Sequence, residues 1–400
     1  MTISRSREFF LLSLLAAIQF VHIVDFMILM PLGPQLMRIF QIDTTRFSLL
    51  ISAYTFSAGI AGFAGAFWLD RFDRRANLVF MMTGFTLGTS SCAFSWSFES
   101  LLAARIIAGM FGGVLNAQVY AIVADVIPYD RRGRATGFIM SAFSLASVAG
   151  VPLGLYLANQ RDWQLPFEVL GGFALLILIL SFIVVPSLRH HIVESEHKEK
   201  SLTMFLELFK VKKHQTAFIF ILFMMIAGFS VIPFISNYLV ANLKFPESKL
   251  PVMYALGGGA TFFSARFIGY LADRFGKANV FRWDAFASML PLLAITHLTT
   301  SHFGTILTVS TLFFILVSGR MIPALAMISA AAKPSVRGSF LSMVSSLQQL
   351  GSGLAAVVAG SIIIHPPGQL MQNYPIVGYL AVASTLICIF LAGKLEPHEK

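Results

Sequence analysis

The chain has 400 residues, of which 56% are hydrophobic and only 12% charged, with 39 Phe and a mean hydropathy of +0.77. A water-soluble fold of this length cannot hide so much apolar surface, whereas runs of about 20 apolar residues are long enough to cross a bilayer. The formal charge of +10 could suggest a nucleic-acid partner, but its placement along the chain decides otherwise.

Cutting at charged, polar or Pro/Gly-rich breaks predicts twelve membrane spans, at about 9–32, 46–69, 76–97, 99–126, 135–158, 166–187, 216–241, 250–272, 279–299, 303–331, 336–363 and 374–393. The first run resembles a signal anchor, but it lacks a cleavage site and carries Asp25, so it reads as a retained span. An even number of spans places both termini on one side. Twenty-one Lys and Arg fall in the loops and tails on that side and five in the loops opposite. By the positive-inside rule this asymmetry makes both termini cytoplasmic in a multi-pass plasma-membrane protein, the inner membrane if the source is prokaryotic. It also accounts for the basic charge without nucleic acid. Cys92 and Cys388 lie inside apolar runs, where they read as small buried side chains rather than a disulfide or metal framework.

The longest hydrophilic stretch, residues 189–215, divides an N-terminal six-helix bundle (1–188) from a C-terminal one (216–400). Its final part, from Ser201, sets Leu202, Phe205, Leu206 and Phe209 at helical spacing, as in a helix lying on the membrane surface. The halves repeat one another. Ala66–Arg75, with Asp70, Arg71, Arg74 and Arg75, is a degenerate copy of Gly269–Lys277, with Asp273, Arg274 and Lys277, 203 positions later. Arg132-Gly133 before span five echoes Arg337-Gly338 before span eleven, and small-residue runs follow both. Two six-span units of the same orientation suit an axis along the membrane normal.

Ionisable side chains within spans are the informative ones, because an unpaired charge there costs at least ~2.5 kcal/mol. His22 and Asp25, three apart, share a face of span one. Arg105 of span four sits at a similar depth, so an Asp25–Arg105 pair is expected, serving as a proton or substrate site or as a structural tie. Arg105, Gly112, Asn116 and Tyr120 form a stripe suited to lining a cavity. Arg320 in span ten has no acid beside it in sequence and needs a partner, an anionic ligand or water. Arg266 is placed to snorkel. The ionic side chains singled out here, Asp25, Arg105, Arg266 and Arg320, carry a formal +2, which favours anionic, zwitterionic or amphiphilic compounds. At the end carrying the termini, Asp70, Arg74 and Asp125 form a candidate charge-paired latch. Pro233, Asn237 and Tyr238 interrupt span seven and predict a bendable segment. No nucleotide-binding loop, zinc spacing or nucleophile elbow occurs, so the chain reads as neither an enzyme nor an ATP-driven pump.

The turn Gly269-Tyr270-Leu271-Ala272-Asp273-Arg274-Phe275-Gly276-Lys277, together with its twin, Arg105-x-x-x-Gly109, Asp125–Arg134 and Gly150-Val-Pro152-Leu-Gly154, resembles the major facilitator superfamily over nearly the whole chain. Within it the chain looks like the twelve-span drug:proton antiporters often labelled arabinose-efflux permeases. The resemblance implies an all-α fold of two pseudo-symmetric six-helix bundles. It also implies a central cavity lined by spans one, four, seven and ten, where Asp25, Arg105, Asn237 and Arg320 fall. It ties the span-four arginine to proton coupling and the span-five Gly/Pro motif to antiport. Ala66, Asp73 and the order Gly-Val-Pro depart from the family pattern. The expected protein is a monomeric, proton-coupled exporter of a small molecule that uses no cofactor beyond the proton. Asp25 would carry the proton, and the Asp70 and Asp273 turns would stabilise the outward-facing state. An uptake carrier or uniporter for a small metabolite is the alternative. A non-transporting receptor fits less well, since the loops are too short to form a binding domain.

Overall fold

The computed structural model describes residues 5–189, 207–333, 336–366 and 369–395. Among these there is no strand, only an isolated bridge between Ile364 and Gln372. Helices occupy every predicted span. Span one is Arg5–Ile28, followed by a short helix, Gly33–Phe40. Spans two, three and four are Thr44–Trp68, Arg74–Ala93 and Phe98–Val126. Span five runs as Tyr129–Leu145, a π-helical turn Ala146–Gly150, and Val151–Gln160, and span six is Leu165–Val184. Span seven is Lys212–Phe229, a 3-10 turn Ile232–Phe234 and Ile235–Leu243. Spans eight and nine are Leu250–Phe275 and Lys277–Thr296. Span ten is broken into Phe303–Gly319 and Met321–Ala330, and spans eleven and twelve are Arg337–Ile362 and Tyr374–Leu395.

Among the described residues nine spans are long and apolar enough to cross a membrane on length and composition alone. The other three are spans three, eight and nine, diluted by Thr and Ser, by Gly257–Gly259 and by Arg282 with Asp284 respectively. Of the predicted surface helix, residues 201–206 lie outside the described residues. In its described part Leu208 is buried and the Phe209 ring lies 5.0 Å from that of Phe218.

Local chemistry sets the helix ends. Asp43 accepts from the Arg46 amide at the start of span two. Ser97 and Ser100 form a reciprocal capping box at span four, which satisfies amides that a helix start leaves unpaired. Gly276, at φ 87°, makes the tight reversal between spans eight and nine that a side chain would strain. Large apolar side chains such as Ile183, Phe263, Phe286, Leu290 and Phe390 point outward and are strongly exposed, as a lipid-facing surface requires.

The two halves are tied together at the end remote from the chain termini. Arg38 pairs with Glu247 at 2.6 Å, Thr44 donates to the Ile363 carbonyl at 2.7 Å, and Asn159 donates to the Glu247 carbonyl at 3.2 Å. Span two lies directly on span eleven there. A Cβ on Gly353 would stand 2.5 Å from Thr55 Oγ1, so only a glycine permits this approach. Spans two and eleven stay in contact toward the terminal end, where Gly59 and Gly62 face Leu350 and Ser346 and Phe63 and Phe67 pack against the apolar cluster of the second half. The ion pair and the hydrogen bonds named above clasp the halves at the remote end.

Replacing Gly353 with Leu forces these helices apart, at a cost of about 1–3 kcal/mol. The expected result is faster labelling of a cysteine placed at Gln41, beside the clasp, by a membrane-impermeant thiol reagent; unchanged labelling contradicts the clasp.

Candidate functional site

The first half encloses one fully buried ion pair. Arg105 Nη1 donates to Asp25 Oδ2 at 2.9 Å and to the Asp25 carbonyl at 3.3 Å, while Thr89 Oγ1 donates to Asp25 Oδ1 at 3.1 Å. Asp25 is 0% and Arg105 1% exposed. The guanidinium carbon lies 4.3 Å from the centre of the Tyr54 ring, a cation–π contact that gains strength without competing water. Four helices thus converge on one carboxylate: span one supplies it, span three the hydroxyl, span four the cation and span two the ring.

The Arg105-x-x-x-Gly109 spacing has a steric cause here. Gly109 lies one turn beyond Arg105 against the Tyr54 backbone, and any side chain there would overlap Tyr54 and Ser57. The glycine brings span two close enough for Tyr54 to lie under the guanidinium. The span-five motif performs a similar service. Gly150 and Gly154 face Val24 and Ile28 of span one, where added carbons would clash. The π-helical turn Ala146–Gly150 and Pro152 set the path of span five along this face.

Below this pair, spans one and four make two further polar steps. His22 lies between Tyr54 and Phe85, at ring-centre distances of 6.3 and 6.0 Å, and neither of its nitrogens has a hydrogen-bond partner. Gly112 leaves room for it, since a Cβ there would stand 2.9 Å from His22 Cδ2. Gln19 then donates to Asn116 at 2.5 Å. Sequence reasoning does not single out Gln19, Thr89 or Tyr54. Gln19 carries a readable signal, being three residues from His22 on the same face. Thr89 and Tyr54 carry none, because neutral side chains are common in spans.

Two expectations about a shared central cavity are corrected. Asp25 and Arg105 are not open to a space between the halves; their partners among the described residues all belong to spans one to four. Nor are they joined by Asn237 or Arg320. Asn237 sits at the remote clasp, its amide against Gly33 with both polar atoms unpartnered. Arg320 is buried inside the second half, where Nη1 donates to Thr385 Oγ1 at 3.0 Å and Ser288 Oγ at 3.4 Å. Arg320 also has an acid nearby in space that its own sequence neighbourhood does not show, Asp284 of span nine, which is 8% exposed. Asp284 escapes the sequence reading although a charge in an apolar run is the strongest available signal; it lowers the intramembrane charge balance counted above. Pro233 falls in the 3-10 turn of span seven, where the Tyr374 hydroxyl donates to the Val231 carbonyl at 3.0 Å.

At the terminal end Arg74 Nε pairs with Asp125 Oδ2 at 3.0 Å, joining spans three and four. The Asp70 side chain lies outside the described residues. Arg71 is exposed, and Arg75 donates to the Phe182 carbonyl. Asp73, which departs from the family glycine, is the centre of this region. It caps span three through the Arg75 amide at 2.8 Å and accepts from Ser187, the Leu188 amide and Arg189. Partial burial works to raise its pKa, but these donors prevail and hold the carboxyl below the usual carboxylate range. In the second half Asp273 is exposed and has no ion pair among the described residues. Arg274 turns to the Tyr270 hydroxyl at 3.1 Å, and Lys277 is exposed. The second turn therefore closes no latch in this state. Arg266 is exposed and stacks over Phe262 at 4.4 Å.

An all-helical chain with an apolar, lipid-facing surface and an ion pair sealed inside its first half is a multi-pass membrane protein. The family model of the Major Facilitator Superfamily matches residues 15–322 and 217–400, and the chain belongs to that superfamily. It is 23% identical over 394 residues to Multidrug resistance protein 1 of Bacillus subtilis (strain 168), covering 97% of each chain. It is 22% identical over 372 residues to the Inner membrane transport protein YdhP of Escherichia coli (strain K12), covering 92% of each. Its fold matches the crystal structure of a bacterial homologue of the human lysosomal transporter Spinster, inward-facing and unoccupied. The TM-score is 0.74 at 15% identity, over 98% of this chain and 97% of that one.

Removing one member of the buried pair, by Asp25→Ala or Arg105→Ala, should cost about 3–5 kcal/mol because it strands the other charge. Thermal unfolding of the purified protein checks this, with the double variant less destabilised than the two single losses summed. Asp73 gives a pH prediction with a definite sign. Its folded carboxyl titrates below its unfolded one, so its contribution is complete above about pH 4 and is lost as pH falls further. Hydrogen exchange at Leu188 should rise through that acid range in the wild type, and Asp73→Asn should already show the raised rate at neutral pH.

Proposed function

We propose that the protein is a secondary transporter that exports a small amphiphilic, zwitterionic or anionic compound in exchange for protons, by alternating access. The observation that carries this reading is the carboxylate of Asp25, sealed among four helices with an arginine, a hydroxyl and an aromatic face. A proton and the Arg105 cation compete for the same carboxylate. Protonation releases Arg105 from its ion pair, and the helices that meet at this point are free to shift. His22, with two buried and unpartnered nitrogens, stands one turn along span one as the next group that could take the proton. Phe26 of span one and Phe229 of span seven, 5.9 Å apart, present aromatic surface where an amphiphile can lie. The likeness to Multidrug resistance protein 1 supports export over uptake. Arg105 and Arg320 are both buried against partners within their own half, so neither selects the charge of the cargo.

The charge asymmetry of the loops supports a cytoplasmic terminal end, which puts the polar clasp on the external side and suits a state that faces the cytoplasm. The clasp of Arg38 with Glu247 must then open, and the Asp70 and Asp273 turns must close, to expose the other side. The competing reading is uptake or uniport of a small metabolite.

Proteoliposomes carrying a pH-sensitive dye decide between them. Export in exchange predicts proton movement opposite to substrate, abolished in Asp25→Asn while substrate counterflow persists. Proton movement in the same direction as substrate identifies uptake, and undiminished flux in Asp25→Asn removes the role given to that residue.

A further inference from the structure

The second half contains a buried charged cluster that the reading above leaves unused. Asp284 lies on span nine opposite the break in span ten. Its Oδ2 sits where a side chain at Gly319 would begin: a Cβ there would stand 2.8 Å from the oxygen. That oxygen is buried and has no hydrogen-bond partner, and neither has Nε of Arg320. Among the described residues no ion pair joins the two. The arginine is instead held by Ser288 and Thr385 through Nη1. A bare buried carboxylate oxygen and a bare buried guanidinium N–H, on two packed helices, are complementary and unmet, and leaving either without a partner is unfavourable.

We propose that Asp284 is a second proton-binding site, in the second half of the chain, and that it controls the bend of span ten. With a proton on Asp284, the carboxyl is neutral and Arg320 rests on Ser288 and Thr385, as in the structure. When the proton leaves to water, the carboxylate needs a donor, and the free Nε–H of Arg320 is the one at hand. Residue 320 is the single position between the half-helices Phe303–Gly319 and Met321–Ala330. Pro323 lacks an amide to continue the ladder across the break, so drawing Arg320 along span nine, from Ser288 to Asp284 one turn away, swings the Met321–Ala330 half. A two-position contact at a pre-existing break is the kind of element that a single proton can switch.

The surrounding groups leave the exchange to this pair. Span eight turns Ile268 toward Gly319, while its own Arg266, Asp273 and Arg274 are exposed. Span twelve contributes Thr385 and the buried thiol of Cys388. Arg282, on the same helix as Asp284, points to Gly393 of span twelve. Of the described cations near span nine, only Arg320 is fully buried with an unused donor. The site deepens the proton-coupled reading by placing a protonation step in each half, but the hinge can be tested without transport.

Hydrogen exchange of the full chain in lipid nanodiscs, corrected for intrinsic rates and followed from pH 5 to 9, tests it. The wild type should show a pH-dependent step of tenfold or more in the protection of Met321–Ala330. Asp284→Asn should abolish the step and Asp25→Asn should keep it. Ser288→Ala with Thr385→Val removes the present acceptors of Arg320, favours the ionised pair, and should move the midpoint down by a unit or more, a tenfold change in proton affinity. It also serves if Asp284→Asn does not fold. A step that persists in Asp284→Asn, a midpoint unmoved in the Ser288/Thr385 variant, or no step in the wild type overturns the proposal. Absence of substrate-driven proton flux, with the step intact, would instead sink the proton-coupled reading and leave the hinge standing.

Discussion

A carboxylate and a guanidinium held 2.9 Å apart with no exposure fix the arrangement of the first four helices. Inside a bilayer neither group survives alone, since an isolated charge at the centre costs at least ~2.5 kcal/mol. Each must find the other; both carboxylate oxygens are filled, while Nε of Arg105 has no hydrogen-bond partner. The Asp25 carboxylate meets Thr89 and Arg105, and the guanidinium meets Tyr54. Small residues then follow from the geometry. Gly109 admits span two, Gly112 admits His22, and Gly150 and Gly154 admit span one against span five. The glycines of the family motifs are the steric conditions under which one ion pair can be buried.

The second half repeats the theme with different satisfaction. Arg105 and Arg320 both lie on the fourth helix of their half and both are fully buried, and each site includes a hydroxyl from the third helix, Thr89 or Ser288. In the first half the acid is in contact with the arginine. In the second it stands off, and the arginine leans on two neutral hydroxyls instead. The first half therefore holds a closed pair that a proton can open, the second an open pair that loss of a proton can close. On these two proposals a proton opens the pair and its loss closes it in both halves, and the structure holds the first half closed and the second open.

Much of this is legible in the sequence, and the reasons are physical. A bilayer forces long apolar runs, so the twelve spans and the twofold repeat stand out even where span three is diluted by hydroxyls. Charge is so costly there that Asp25 and Arg105 can be paired from depth alone. What sequence does not supply is which surface a helix turns inward. The family resemblance puts Asn237 and Arg320 in a common cavity, whereas the structure places one at the remote clasp and the other within its own half. Asp73 reads as a defect in a motif and proves to be the hub of a turn, because the segment it binds, Ser187–Arg189, is 114 or more positions away. Asp284 is visible but easily passed over, its charge masked by Arg282 two residues before it at the start of the span.

Exchange with protons requires that substrate binding displace a proton from the Asp25 carboxyl. Infrared difference spectroscopy of the protein in lipid, with and without a transported compound, reports this directly. The expected result is a protonated-carboxyl band that changes on binding and vanishes from the difference spectrum in Asp25→Asn, while substrate binding itself remains. A difference spectrum identical in the wild type and Asp25→Asn would show that the buried pair is only a structural tie.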